Sequence, residues 1–156
     1  MAKEFTHAPE IERIAEKLIE IFKPELEGFS IRYVFNSENP KLHGEEKTAL
    51  ARKVVGLNAF LAGEPDGFFV LEFGRPAFDE LTEAQLIAVV HHELCHFGIS
   101  DDGKLWIIPH DVEEFSEVVK VHGSYDLNLM IFSESLEKGN SDADNRKELI
   151  NRILNG

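Results

Sequence analysis

Cysteine is nearly absent: Cys95 is the only one among 156 residues. An internal disulfide is excluded, and with it the small disulfide-stapled folds of secreted proteins. No apolar run approaches the roughly 20 residues that a membrane-spanning helix needs. The opening decapeptide, MAKEFTHAPE, lacks the apolar stretch of a secretory signal. Basic residues are also few, 16 Lys and Arg against 29 Asp and Glu, for a net charge of −13. Such a chain repels phosphate backbones and anionic lipid, so neither a direct nucleic-acid partner nor a membrane is expected. No repeat recurs at a period of about 20–50 residues. Together these absences predict a reducing, cytoplasmic setting. What remains is ordinary globular material: 43% of residues are apolar, enough for one sizeable core.

The most informative stretch is Leu81 to Asp102, LTEAQLIAVVHHELCHFGISDD. It contains His92-Glu93-Leu94-Cys95-His96, a match to H-E-x-x-H. Residues four apart on a helix share one face, so His92 and His96 can grip one metal ion, with Glu93 beside them as general base. Two neutral imidazoles leave a zinc ion its positive charge, which pulls the pKa of a coordinated water from about 15.7 toward about 7. Thr82 and Gln85 have the spacing of a capping box and set the helix start. Leu86, Ile87, Ala88, Val89 and Val90 make the helix apolar nearly all round, which predicts burial, and Gly98 is the expected stop. His91 points about 100° away from His92 and cannot readily share the metal. Cys95 reads as a small buried hydrophobe, with no His and Asp/Asn partners to make it a nucleophile.

Around this stretch the pattern alternates between helix and strand. Residues 8 to 23 form an amphipathic helix through Ile11, Ile14, Ala15, Leu18, Ile19 and Phe22, stopped by Pro24. Phe29 to Phe35 alternates as a strand, and 36 to 46 is a polar loop in which His43 has no assigned role. Lys53 to Leu61 reads as a second strand, with a helical alternative open. Phe68 to Phe73, FFVLEF, is the clearest strand. Such a strand is either structural or, at a sheet edge, a template for an extended peptide; the structural reading is the commoner one. Leu105 to Ile108 is a short strand in which Trp106 belongs to the core. A helix then begins near Pro109, with Asp111 as N-cap, Glu114 at N3 and an inner stripe of Val112, Phe115, Val118, Val119 and His122, ending at Gly123. Leu127 to Phe132 is strand or helix. Residues 137 to 146 are polar and expected to be mobile, before a short final helix through Leu149, Ile150, Ile153 and Leu154.

A zinc hydrolase usually has three protein ligands and one open position. His110, fourteen residues after His96, leads the candidates for the third because imidazole is the commonest metal ligand. Asp102 stands where H-E-x-x-H-x-x-G-x-x-H would place it, but Ile99 occupies the glycine position of that pattern and resists φ > 0. Glu113 and Glu114 are carboxylate alternatives, with a second use as hydrogen-bond partners of a ligating histidine. Tyr125 is a weak candidate for an oxyanion donor.

The order of features, FFVLEF, then LTEAQLIAVVHHELCHFGI, a short loop and strand, then PHDVEEFSEVVKVHG, resembles the SprT-like zincins and, more closely, the phage metallopeptidase domain related to them. In SprT-like proteins the third histidine lies in an HG-x-x-F-type segment. The counterpart here is His110-Asp111-Val112-Glu113-Glu114-Phe115, with Asp in place of Gly and one residue more before the Phe. The resemblance covers roughly residues 65 to 124. It implies an α+β, zincin-like fold with a small mixed β-sheet packed beside the active-site helix. It also implies Zn²⁺ held by His92, His96 and His110, Glu93 as general base, and a protein or peptide substrate. A phage-encoded chain would work in the host cell cytoplasm. The expected boundaries are a metallopeptidase domain over 1–136 and a polar segment with a short helix over 137–156. The rivals are a non-catalytic metal-containing interaction protein and a zinc hydrolase of a non-peptide bond. Nothing in the sequence fixes the oligomeric state.

Overall fold

The computed structural model describes residues 2–156 and divides at the Ile108–Pro109 bond into two compact units. In the first unit, β1 (Phe5–His7) leads into α1 (Pro9–Phe22), and a 3-10 turn (Pro24–Leu26) returns the chain to β2 (Ile31–Asn36). A two-residue hairpin, β3 (Lys41–Leu42) and β4 (Glu45–Glu46), precedes β5 (Ala49–Val54) and α2 (Gly56–Leu61). Then come β6 (Phe68–Gly74), α3 (Arg75–Glu80), α4 (Glu83–Cys95), and the hairpin of β7 (Phe97–Ile99) and β8 (Leu105–Ile107). The main sheet has the order β1-β2-β6-β5. β2 and β6 are parallel, and the outer pairs are antiparallel, so the sheet is mixed.

Hydrophobic burial dictates this order. FFVLEFG is flanked on both sides by strands, and Phe68, Phe69, Leu71, Phe73 and Gly74 are all buried. A continuous apolar run of this kind is what an interior strand requires. FFVLEF is therefore structural, and the edge positions fall to β1 and β5. Helix α1 contributes Ile11, Ile14, Ala15, Leu18 and Ile19 to the core, the spacing of one helical face. Full burial of side chains such as Leu18 or Phe69 is worth about 1.5–3 kcal/mol each. Helix α4 packs on α1 and on β5. Its capping box forms as the sequence implies: Thr82 Oγ1 accepts from Gln85 N–H at 3.2 Å, and Gln85 Oε1 accepts from Thr82 N–H at 3.0 Å.

Several expectations are corrected. The 53–61 ambiguity resolves into both answers: the strand stops at Val54, Gly56 takes φ +64°, and a short helix follows. Helix α4 is buried along one face only, through Ile87, Val90, Glu93 and Leu94, while Ala84 and Ala88 are exposed. Small alanines do not force burial, so an apolar composition overstated it. Gly98 does not stop the helix. Helix α4 ends at Cys95 with His96 as its cap, and Gly98 lies inside β7, where a Cβ would sit 2.5 Å from Trp106 Nε1. Trp106 is a half-exposed lid over that glycine and no core residue.

The second unit holds α5 (Ser116–His122), α6 (Leu127–Ser141) and α7 (Ala143–Asn155). Helix α5 begins five residues later than Asp111, because Glu114 bonds to Phe115 N–H and to the Tyr125 hydroxyl and caps nothing upstream. Phe115, expected on an inner stripe, is 77% exposed. Gly123 closes α5 at φ +66°, as expected. Leu127 to Phe132 is helical, led by Asp126, whose carboxylate accepts from Leu129 N–H at 2.8 Å. Residues 137–146 are largely helical too, across the junction of α6 and α7 at Asp142.

One polar network is buried in the sheet of the first unit. Asn36 Nδ2 donates to Glu72 Oε2 at 2.9 Å, and Arg52 Nε donates to Glu72 Oε1 at 2.8 Å, tying β2 and β5 to β6. Arg52→Ala leaves the buried Glu72 carboxylate with one partner. Urea unfolding should show a loss of about 1–3 kcal/mol.

Candidate metal centre

The motif residues occupy the end of α4. His92 and Glu93 lie in its last turn, and His96 caps it. The capping backbone is fixed by His96 N–H, which bonds to the carbonyls of Glu93 and Leu94. From there the β7–β8 hairpin folds back, and Ile108 N–H donates to the His96 carbonyl at 2.7 Å. The Ile108 carbonyl in turn lies 2.6 Å from His96 Nδ1. A carbonyl can only accept, so Nδ1 carries a proton, and in the neutral ring Nε2 is the nitrogen left with a lone pair.

That nitrogen lies 3.3 Å from His92 Nε2. Two nitrogens held about 2.0–2.1 Å from one tetrahedral zinc are separated by about 3.3–3.4 Å. The pair therefore has the spacing of two corners of such a site. Pro109 alone separates Ile108 from His110. One ligand atom from each of His92, His96 and His110 falls within 4.8 Å of the others, the only such group of His, Cys, Asp or Glu found among the described residues. The donor set, three imidazoles with one tautomer fixed by a backbone carbonyl, fits a divalent transition metal.

Glu93 is only 6% exposed, and its Oε1 lies 4.0 Å from His92 Nε2. Burial pushes its carboxyl above the usual range, while the neighbouring His96 ring and the Ala51 amide hold it partly down. Ala51 lies on β5, an edge strand of the main sheet. Gly74 N–H bonds to the Thr48 carbonyl, and the antiparallel register pairs Ala49 with Phe73 and Ala51 with Leu71. Alternation then turns the backbone groups of Ala49, Ala51 and Lys53 away from β6. The strand edge and a buried carboxylate thus meet at one residue, whose amide Glu93 engages.

The other sequence candidates go elsewhere. His91 stacks on Phe22 at 4.7 Å between ring centroids, and burial, with Lys23 nearby, lowers its pKa. Its turn away from the His92 face matches the helical arithmetic. Asp102 belongs to the β7–β8 turn, where it accepts from Ser100 and lies 3.6 Å from Lys104 Nζ; the Ser100 bond leads in lowering its pKa. Glu114 takes the Tyr125 hydroxyl, which lowers the one group and raises the other, so the weak oxyanion candidate is engaged. Glu113 joins no ligand group. Cys95 is exposed, contrary to expectation, because the buried face of the last turn belongs to Glu93 and Leu94. Sequence reasoning missed Ile108 and Ala51, whose roles are carried by backbone atoms and leave no mark in side-chain identity.

Residues 3–137 match the family described as "Putative phage metallopeptidase". The chain belongs to this family. Its name is that of a hydrolase of peptide bonds, and the histidine group points to a metal ion. No curated protein and no solved structure matches. No helix among the described residues is long and apolar enough to cross a membrane.

Gly98→Ala places a methyl group against Trp106 and within 2.8 Å of Ile108 Cγ1. Displacing Ile108 releases His96 Nδ1. Metal titration followed by calorimetry should show affinity reduced about 10–100-fold, the range for losing the partner of a ligating histidine.

Proposed function

We propose that this chain is a zinc-dependent peptidase with a zincin-like fold, in which His92, His96 and His110 hold the metal and Glu93 is the general base. The observation that carries this reading is the convergence of three imidazoles beside one buried carboxylate. A structural site has no use for a base, whereas a hydrolase needs one within reach of the attacking water. When bound, the ion supplies Lewis acidity, acidifying water and polarising a carbonyl.

The chain's own residues do the rest. Glu93 takes the proton of the attacking water and returns it to the leaving amine. Its burial raises its basicity toward the level that a base working near neutral pH requires. The Ile108 carbonyl keeps His96 in one tautomer and one orientation. An extended substrate adds along the edge of β5, where the outward backbone groups of Ala49 and Lys53 give register without reading side chains. This edge brings the peptide past Ala51 and so past Glu93. The substrate class is a protein or peptide, and we take 1–136 as the working domain, a span close to the family match.

Glu93→Gln tests the reading. Peptide hydrolysis should fall by at least about 10²–10⁴-fold, with zinc content by elemental mass spectrometry unchanged. The metal-free variant should also melt higher, by about 2–4 °C per kcal/mol recovered, because a buried charge is gone. Activity that survived would sink the general-base assignment. In parallel, His92→Ala and His110→Ala should each lose the metal. Zinc retained in His110→Ala would move the third ligand to Asp102, Glu113 or Glu114. Metal bound at one per chain with no hydrolysis of any peptide would favour an interaction protein.

A further inference from the structure

A second concave site lies in the first unit, between α1 and the start of β2. It encloses about 400 Å³ and is lined by Glu12, Glu16, Glu27, Phe29 and Tyr33, among others. Glu12 and Glu16 stand one turn apart on α1, so both carboxylates look the same way. None of the three glutamates takes part in an ion pair among the described residues. Tyr33 closes the cavity from the sheet side. It is only 7% exposed, yet its hydroxyl makes no hydrogen bond among the described residues and is not sealed from the cavity. Burial, then the charges of Glu12 and Glu16, push this phenol well above the ordinary tyrosine range, so it stays protonated.

The ring of Tyr33 is buried while its hydroxyl opens on the cavity, where a donor entering the cavity can bond to it. The surrounding charge says what kind of group that is. Three carboxylates and a phenol oxygen are acceptors, and Phe29 and Tyr33 add aromatic faces that attract cations. The acidic groups do not converge closely enough to form a metal-ligand group. An organic cation that carries its donors on a wider frame fits better. In the sheet, Tyr33 pairs with Leu71 and Leu71 with Ala51, so the cavity is offset by two strands from the edge beside Glu93.

We propose that this cavity binds the basic side chain, guanidinium or primary ammonium, of a peptide or protein partner. Glu12 and Glu16 neutralise the cation, the Tyr33 hydroxyl accepts one of its N–H groups, and Phe29 covers the alkyl stem. The assignment stands independently of any peptidase activity.

The test is NMR titration of the full chain with N-acetyl-arginine methylamide, with the citrulline analogue as neutral control. Saturable shifts at Tyr33 and along α1, with a Kd in the millimolar range, are expected for the arginine probe alone. Glu12→Gln, Glu16→Gln together should weaken binding about tenfold or more, and Tyr33→Phe, which keeps the ring in the core, by about threefold or more. The idea fails if the citrulline probe binds equally, if the double variant binds as tightly as the parent, or if shifts spread over the acidic surface without saturating. Zinc content, followed in the same samples, should not change in any variant.

Discussion

The reciprocal pair between His96 and Ile108 is the constraint on which the site depends. One bond runs from Ile108 N–H to the His96 carbonyl, and the other joins His96 Nδ1 to the Ile108 carbonyl. The first makes the residue after β8 an extension of the helix end. The second selects the imidazole tautomer. Both use backbone atoms of one residue, so neither bond can shift without the other. The β7–β8 hairpin that brings Ile108 back is in turn set by close packing: Gly98 has no room for a side chain beneath Trp106 and Ile108. A glycine with ordinary φ is required there for space and not for backbone freedom.

Glu93 shows the opposite economy. Its carboxylate is held in a buried place where ionisation is disfavoured, and the only relief comes from an edge amide and a neighbouring ring. Stability alone would replace it with an apolar residue or an amide. A position that works against folding while standing 4.0 Å from a motif imidazole suits the chemical role proposed for it. Glu72 is a useful contrast within the same unit. It is equally buried, but Arg52 and Asn36 satisfy both its oxygens, and it joins strands. Two buried glutamates of similar exposure thus have different meanings, decided by what each one faces.

Side-chain periodicity made the α+β composition, α1, β2, β6 and the start of α4 legible in the sequence. In each of these the hydrophobic pattern and the cap chemistry agree, and Thr82 with Gln85 is the clearest example. Spacing pairs His92 with His96, and the resemblance to a family adds His110, one ligand atom of which falls with theirs within 4.8 Å. The failures share a cause. Asp111 and Glu114 have the letters of a helix start, yet the carboxylate is taken by Tyr125, eleven residues on, and no local pattern announces that competition. Cys95 was assigned by residue type, and Glu93 held the buried face instead. Ala51 and Ile108 contribute through main-chain atoms, for which any residue type would serve.

The early end of α4 bears on the chemistry. Had the helix run through to Gly98, both histidines would lie along its side. It stops at Cys95, with His96 as the cap. The last carbonyls of a helix carry the negative end of its dipole, worth roughly half an elementary charge. On the proposed reading, a cation held by His92 and His96 would lie near that end and be stabilised by it, as a cationic side chain in a last turn is. On that reading, the place where the helix stops favours the positive ion.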